Sequence, residues 1–249
     1  MVRTMKIETI LSPAELPAVA KRDLRQTACV VFDILRATST FVTALQNGAR
    51  SVIPVIDIPE ALALRKKQPD ILLAGERDGV KIQAKQSGGV DFDFGNSPRE
   101  FIPSVVSGKI IASTTTNGTL ALRDCAGGKV VLAAAFLNLG ATAAYLKAKK
   151  FTNVLLVCAG TGEGVAMEDV LAAGAMAELL AGEESDATNT ARQTWLRLGA
   201  GLEHAIGGSK NGQRLLSIAA LREDVAFCAQ RNVMELVAVM GTGGRLEKS

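Results

Sequence analysis

Short apolar, β-branched runs alternate with capped helical segments along most of this chain, and that alternation narrows the choice of fold. The pattern predicts strands over residues 28–33, 51–56, 71–74, 109–113, 129–134 and 154–158, with a last strand over 233–240. Between them it predicts helices over 38–47, 59–67, 117–125, 138–147 and 166–180, and a helix opening at Pro98. Thr38 or Ser39 serves as one N-cap and Ser97 as another, Gly48 as a stop, and Pro59 and Pro98 open first turns. Residues 188–231 read as mainly helical, and Arg77 to Gly95 as one long polar loop. Strands separated by helices cannot pair as hairpins, so the sheet must be mainly parallel. The expected class is α/β, a layered αβα arrangement with helices on both faces. Ligands in such folds bind beyond the carboxyl ends of the strands. The 249 residues suit one domain, with room for two α/β halves meeting near residues 105–125.

Composition then removes whole classes of chemistry. His204 is the single histidine, so His-rich zinc sites and phosphohistidine relays are out, and a Ser-His or Cys-His pair would have to use His204. His204 lies in the late helical region, apart from the polar segments below. The four cysteines (Cys29, Cys125, Cys158, Cys228) have no C-x-x-C spacing and no arginine six residues on. They read as reduced core thiols of a cytoplasmic protein. A net charge of +3, one Trp and one Tyr give no basis for nucleic-acid binding. Residues 1–20 lack an apolar signal-like core, and the longest apolar run, 130–137, is too short to span a bilayer.

Five polar segments stand at strand-to-helix junctions. The first is Asp33-Ile-Leu-Arg36-Ala-Thr38-Ser39-Thr40. Here Asp33 could ligate Mg²⁺ or attack phosphorus, Arg36 could clamp an anion, and Thr38 and Ser39 open a helix whose N–H groups attract anions. A capped ion pair is the plainer alternative. The second is Gly75-Glu76-Arg77, an acid beside a base, which a solvated loop also explains. In the third, Asn96 and Ser97 precede Pro98, either as a cap or as another anion-facing helix start.

The fourth segment, Ser113-Thr114-Thr115-Thr116-Asn117-Gly118-Thr119, carries far more hydroxyls than one cap needs, which favours oxygen-rich ligand binding. The fifth runs from Cys158 through Gly160-Thr161-Gly162 to Glu168-Asp169. Its paired acids suit a hard cation such as Mg²⁺, or simply complement the helix dipole.

Two look-alikes fail on detail. Gly160-Thr-Gly162-Glu-Gly164 has its third glycine one residue early for a dinucleotide fingerprint. Asp91-Phe-Asp93 imitates a D-x-D phosphatase nucleophile but follows a Gly-rich loop, not a strand. No G-x-x-x-x-G-K-[ST] occurs, which excludes a P-loop.

Taken together and in this order, the five segments resemble the 2-phosphosulfolactate phosphatase family of coenzyme M biosynthesis. The stretches that carry the resemblance are Asp33–Thr40, Gly75–Arg77, Phe92–Pro98, Thr114–Thr119 and Cys158–Thr161 with Glu168–Leu171. Asp91 stands where the family pattern has Gly, and residues 81–91 are longer than its usual link. The resemblance implies Mg²⁺-dependent hydrolysis of (2R)-2-phospho-3-sulfolactate to 3-sulfolactate and phosphate. The expected metal set is drawn from Asp33, Glu76, Glu168 and Asp169. Asp33 and Arg36 are the expected catalytic pair, with attack by Asp33 or by metal-activated water equally compatible. Thr38, Ser39, Arg77, Asn96, Ser97, Thr114, Thr115, Thr116, Asn117, Gly118, Thr119, Gly160 and Thr161 are the expected substrate contacts. The expected partner is a small phosphorylated acid, with no nucleic acid and no membrane, and a homodimer is compatible. The alternatives are a phosphatase of the same fold acting on another phosphorylated hydroxy acid, and a non-catalytic anion-binding protein.

Overall fold

The computed structural model describes residues 4–241 and 243–249. Its strands are β1 (Lys6–Ile10), β2 (Ala28–Phe32), β3 (Ser51–Pro54), β4 (Leu72–Arg77), β5 (Val80–Lys81), β6 (Ile110–Thr114), β7 (Val130–Ala134), β8 (Asn153–Cys158), β9 (Glu183–Glu184), β10 (Ala238–Met240) and β11 (Leu246–Lys248). The α-helices are α1 (Leu16–Val19), α2 (Ala37–Gln46), α3 (Ile58–Lys67), α4 (Ala84–Ser87), α5 (Pro103–Val106), α6 (Gly118–Asp124), α7 (Leu139–Ala148), α8 (Met167–Leu180), α9 (Asp186–Leu198), α10 (Leu202–Gly208), α11 (Lys210–Ser217) and α12 (Glu223–Cys228).

The architecture is α/β, layered αβα around one mostly parallel sheet of order β5-β4-β6-β3-β11-β10-β7-β2-β8-β1-β9. β7, β2, β8, β1 and β9 form one parallel block, and β3, β6 and β4 another. The antiparallel hairpin β10–β11 joins them, pairing β7 on one side and β3 on the other. The two blocks interleave along the chain. β1 and β2 precede β3, and β7 follows β6, so no single cut near residues 105–125 separates them.

Burial explains the strand sequences. All five residues of β2, Ala-Cys-Val-Val-Phe, are buried, as expected for a central parallel strand covered on both faces. The main core spreads over the β7–β2–β8 block and helices α2, α8 and α9. A smaller cluster, Ile53, Val55, Ile71, Leu73, Ile82 and Phe92 among others, lies under α3.

Several sequence-based expectations need correction. The 77–95 segment is not an open loop. β5 pairs back on β4, α4 follows, and Ile82 and Phe92 plug into the smaller core. Asp91 and Asp93 serve it structurally: Asp91 accepts from the Ala84 N–H at 2.7 Å, and Asp93 from the Leu73 N–H at 2.7 Å and from Arg65. The helix at Pro98 is only a 3₁₀ turn, and Ser97 spends its hydroxyl elsewhere. α2 begins at Ala37 after a cis Leu35–Arg36 bond, with Arg36 in the cap position, not Thr38 or Ser39. The last predicted strand shrinks to β10 and runs antiparallel. β1 and β11 are additions that the apolar pattern does not signal, because each is short and has exposed residues.

No helix among the described residues is long and apolar enough to cross a membrane.

Candidate active site at the strand ends

In the sheet order β6 and β2 are five strand positions apart. In a flat sheet that is roughly 24 Å at ~4.8 Å per strand. Yet Asn117, three residues past β6, donates through its side-chain amide to the carbonyls of Ala159 and Gly162 beyond β8, both at 2.9 Å. Three residues span only about 10 Å. The sheet must therefore curl, bringing the carboxyl ends of β4 and β6 around to face those of β2 and β8. The pocket between them has a volume of about 230 Å³.

Asp33 follows β2 directly and lies on the cavity wall. Its Oδ1 accepts from the Ala37 N–H at 3.0 Å, so the start of α2 fixes the carboxylate. Thr38 holds the same corner, donating to the Asp33 carbonyl and accepting from the Asp33 N–H, both at 3.0 Å. On the other side Gly118 is indispensable, because a Cβ there would collide with Asp33 Oδ2 and sit 2.7 Å from the Ala37 Cβ. Burial pushes Asp33 up to about 7, opposed by the Ala37 N–H and reinforced by the negative charges of Glu76 and Glu168, while Arg36 acts to lower it.

Glu76, at the end of β4, is buried and immobilised through both oxygens. Oε1 accepts from the backbone N–H and the hydroxyl of Thr116, each at 3.0 Å, and Oε2 from the Gly79 N–H at 2.7 Å. Asp169, in the first turn of α8, ties two junctions together. It accepts from the Ile34 N–H at 2.8 Å and from the Gly160 N–H at 2.9 Å. Burial and the neighbouring charges of Asp33 and Glu168 push it well above the usual carboxylate range, against those two N–H donors. Glu168 is 1% exposed, accepts from the Asn211 amide at 2.7 Å, and leaves its Oε2 without a partner.

The structure brings Asp33, Arg36, Glu76, Asn96, Thr115, Thr116, Asn117, Gly160 and Thr161 to the cavity wall. Asn96 is buried there, and its amide oxygen has no partner, as befits a wall that receives a polar ligand. The other expected contacts are used elsewhere. The Ser39 hydroxyl donates to the Ile34 carbonyl at 2.8 Å and that of Ser97 to Asp224 at 2.7 Å. The Thr119 hydroxyl is spent on Thr115, accepting from its N–H at 3.3 Å and donating to its carbonyl at 3.2 Å. Arg77 turns away, donating to the Glu76 carbonyl at 2.6 Å and to Thr114 at 3.2 Å. Glu168 and Asp169 stand behind the wall, and Glu168 lines an adjoining pocket with Ser209 and Lys210. Gly160 adopts φ +69, and a Cβ there would strike the Gly164 carbonyl and Pro13, so its smallness shapes the turn.

Arg36 departs furthest from expectation. Its NH1 donates to Asp224 at 2.7 Å, with both side chains almost fully buried, and its NH2 donates to the Gly79 carbonyl at 2.7 Å. The guanidinium reaches the cavity with its charge already balanced. Sequence reasoning missed Asp224, Asp78, Asn211 and Arg214, all but the first on the wall. Asn211 and Arg214 come from α11, inside the region read only as helical, where nothing in the local pattern marks them as site residues.

A sequence profile described as 2-phosphosulpholactate phosphatase matches residues 12–243. A Thermotoga petrophila protein named "Probable 2-phosphosulfolactate phosphatase" is 40% identical, over 86% of this chain and 89% of its own length. Proteins of the same name from Caldanaerobacter subterraneus subsp. tengcongensis and Symbiobacterium thermophilum are each 36% identical. They cover 91% and 89% of this chain, and 92% and 94% of their own lengths. The chain belongs to the 2-phosphosulfolactate phosphatase family, a family of phosphoric monoester hydrolases.

Proposed function

We propose that the chain is a Mg²⁺-dependent phosphatase that hydrolyses (2R)-2-phospho-3-sulfolactate to 3-sulfolactate and phosphate. The observation that carries this reading is the charge balance of the cavity. Asp33, Glu76 and Asp78 line it, Arg36 is already neutralised by Asp224, and Arg214 is the one cation on the wall with no ion pair among the described residues. A phosphate ester entering against three carboxylates is repelled unless a cation lies between them.

No three His, Cys, Asp or Glu side chains among the described residues are gathered into a ready metal cage. Mg²⁺ does not require one, since it is usually held by one or two carboxylates with water and substrate phosphate completing the shell. Asp33 and Glu76 fit that demand: both are hard oxygen donors on the wall, and both are fixed by N–H groups. Glu168 and Asp169 add negative charge behind Asp33. When bound, the cation would neutralise charge on the phosphoryl oxygens. Asn96 and the Thr115–Asn117 loop share that wall. Asp33, fixed at the end of β2 by the Ala37 N–H, is our candidate to attack phosphorus or to handle a proton there. The four buried cysteines, none in a disulfide, accord with a reducing compartment, and we place the protein in the cytoplasm on that ground.

The test is phosphate release from 2-phosphosulfolactate, 2-phospholactate and 2-phosphoglycerate, with Mg²⁺ and with EDTA. Release from the sulfonated ester, abolished by EDTA and restored by Mg²⁺, supports the reading. Release only from the other esters points to a different phosphorylated hydroxy acid. No release from any of them in excess Mg²⁺ points to an anion-binding protein.

A further inference from the structure

We propose that Arg214 is the specificity residue that grips the substrate's sulfonate, the anionic arm that does not react. This inference rests on the function proposed above and adds to it a residue that none of the five junction segments contains.

Three cations were candidates for anion recognition, and the structure separates them. Arg36 is bound to buried Asp224. Arg77 is turned toward Thr114, off the cavity wall. Arg214 lines the cavity, is exposed, and has no ion pair or side-chain hydrogen bond among the described residues. It is therefore the cation on this wall whose charge is still available.

Its backbone is nonetheless well placed. α11 is N-capped by Ser209, whose hydroxyl accepts from the Gly212 N–H at 3.0 Å. One turn before Arg214 on the same helix face, Asn211 donates to Glu168 at 2.7 Å and also to Thr161. Those bonds pin α11 to the β8–α8 junction, while Leu215 packs inward. Arg214 also approaches Gly79, where a Cβ would lie 4.0 Å from its Nε and 3.9 Å from Arg36 NH2. It thus stands above the glycine that anchors both Glu76 and Arg36.

Substrate shape selects the anion. With the phosphate held low in the pocket near Asp33 and Glu76, the carboxylate is attached directly to the ester-bearing carbon. The sulfonate lies one methylene further from the ester carbon, which makes it the anion with the longer reach, and Arg214 is the exposed cation on this wall. Guanidinium and sulfonate are also matched as planar-fork donor and delocalised, weakly hydrated acceptor.

The test compares the Mg²⁺-loaded wild type with Arg214→Gln and Arg214→Lys on 2-phosphosulfolactate and on 2-phospholactate, which keeps the phosphate and carboxylate but lacks the sulfonate. Loss of one charge-assisted contact predicts a KM for the sulfonated ester roughly ten- to a hundred-fold higher in Arg214→Gln. kcat should stay within about threefold, because the contact is equal in ground and transition states. KM for 2-phospholactate should be unchanged, and Arg214→Lys should recover part of the loss. Equal KM changes on both esters, or none on either, would overturn the assignment while the wild type remains a sulfolactate phosphatase. If wild type fails to release phosphate from 2-phosphosulfolactate, the functional reading itself fails and this assignment with it.

Discussion

Arg36 and Asp224 meet at 2.7 Å in the interior, although 188 residues of chain separate them. Ser97 and Arg99 converge on the same carboxylate, at 2.7 Å and 3.5 Å. The last short helix, α12, is thereby clamped to the β2–α2 junction. Removing one partner of such a buried pair leaves an uncompensated charge. Asp224→Ala should therefore cost about 3–5 kcal/mol in urea or guanidinium unfolding. A double variant, Arg36→Met with Asp224→Leu, should recover much of that stability but not activity, since Arg36 also lines the cavity. A loss below about 1 kcal/mol in the single variant would show that the pair does not hold α12.

Gly118 makes room for Asp33, so the smallest possible addition tests the packing of the site. Gly118→Ala drives a methyl group into Asp33 Oδ2 and the Ala37 Cβ. Overpacking of this kind costs about 1–3 kcal/mol. The displacement of Asp33 should lower kcat much more than the melting temperature falls. Wild-type turnover in this variant would mean that the Asp33 position has latitude that the packing denies.

Asp33→Asn keeps the shape and the bond from Ala37 but removes the charge. Turnover should fall on the order of 10²-fold or more, the range for loss of a group that acts on the reacting atoms. In attack by Asp33 the ester P–O bond breaks, the hydroxy acid leaves as its alkoxide and takes a proton from water, and an aspartyl phosphate forms, which water then hydrolyses to phosphate and free Asp33. Acid quenching of a single turnover would trap that adduct. Its absence at substoichiometric substrate favours direct attack by water. Full activity in Asp33→Asn would rule out both roles.

The raised carboxylates also set the pH dependence of the metal-free protein. Burial holds Asp33 near 7 and Asp169 well above its ordinary value. The unfolded chain loses these protons near pH ~4, whereas native Asp33 keeps its proton until about 7. Across that window the native state binds more protons, so stability falls as pH rises. For Asp33 the decline is complete above about 7. Melting curves in EDTA should show Asp33→Asn losing less stability than wild type between those limits. Parallel curves would contradict the assignment.

Mg²⁺ should relieve the same repulsion. Saturating Mg²⁺ should raise the wild-type melting temperature, by a free energy of about 2.7 kcal/mol at a hundred times Kd. The shift should be clearly smaller in Glu76→Gln, which keeps the bonds to one oxygen but loses a charge at the cavity. An equal shift in both proteins would remove Glu76 from the metal set.

Much of the fold was legible in the sequence because its signals are local. β2, β7 and β8 announce themselves as apolar runs, and α3 by its early Pro59, while its Asp57 cap emerged only from the structure. β1 was not legible, because its alternately exposed residues look like a surface segment until β8 and β9 flank it. The junction segments were recognisable from hydroxyl and carboxylate density, yet density did not tell which side chains face the cavity. Thr115 and Thr116 line it, while Thr114, 0% exposed, bonds to the Ile56 carbonyl. Adjacent residues on one short segment point in opposite directions, and only the packed neighbours decide which side is the cavity.

The sequence alone determined the order of the elements and the chemistry available at each strand end, through hydrophobic period, capping and turn residues, all of which act over a few positions. The curl of the sheet decided what those groups could do, by closing β6 onto β2 and setting Asp33 against Gly118. It also decided which charges were spent and which stayed free. Arg36 was consumed by an acid 188 residues away, and Arg214, with no ion pair among the described residues, came to the wall from a helix with no motif. Charge balance depends on distance through space and on burial, and neither can be read from spacing along the chain.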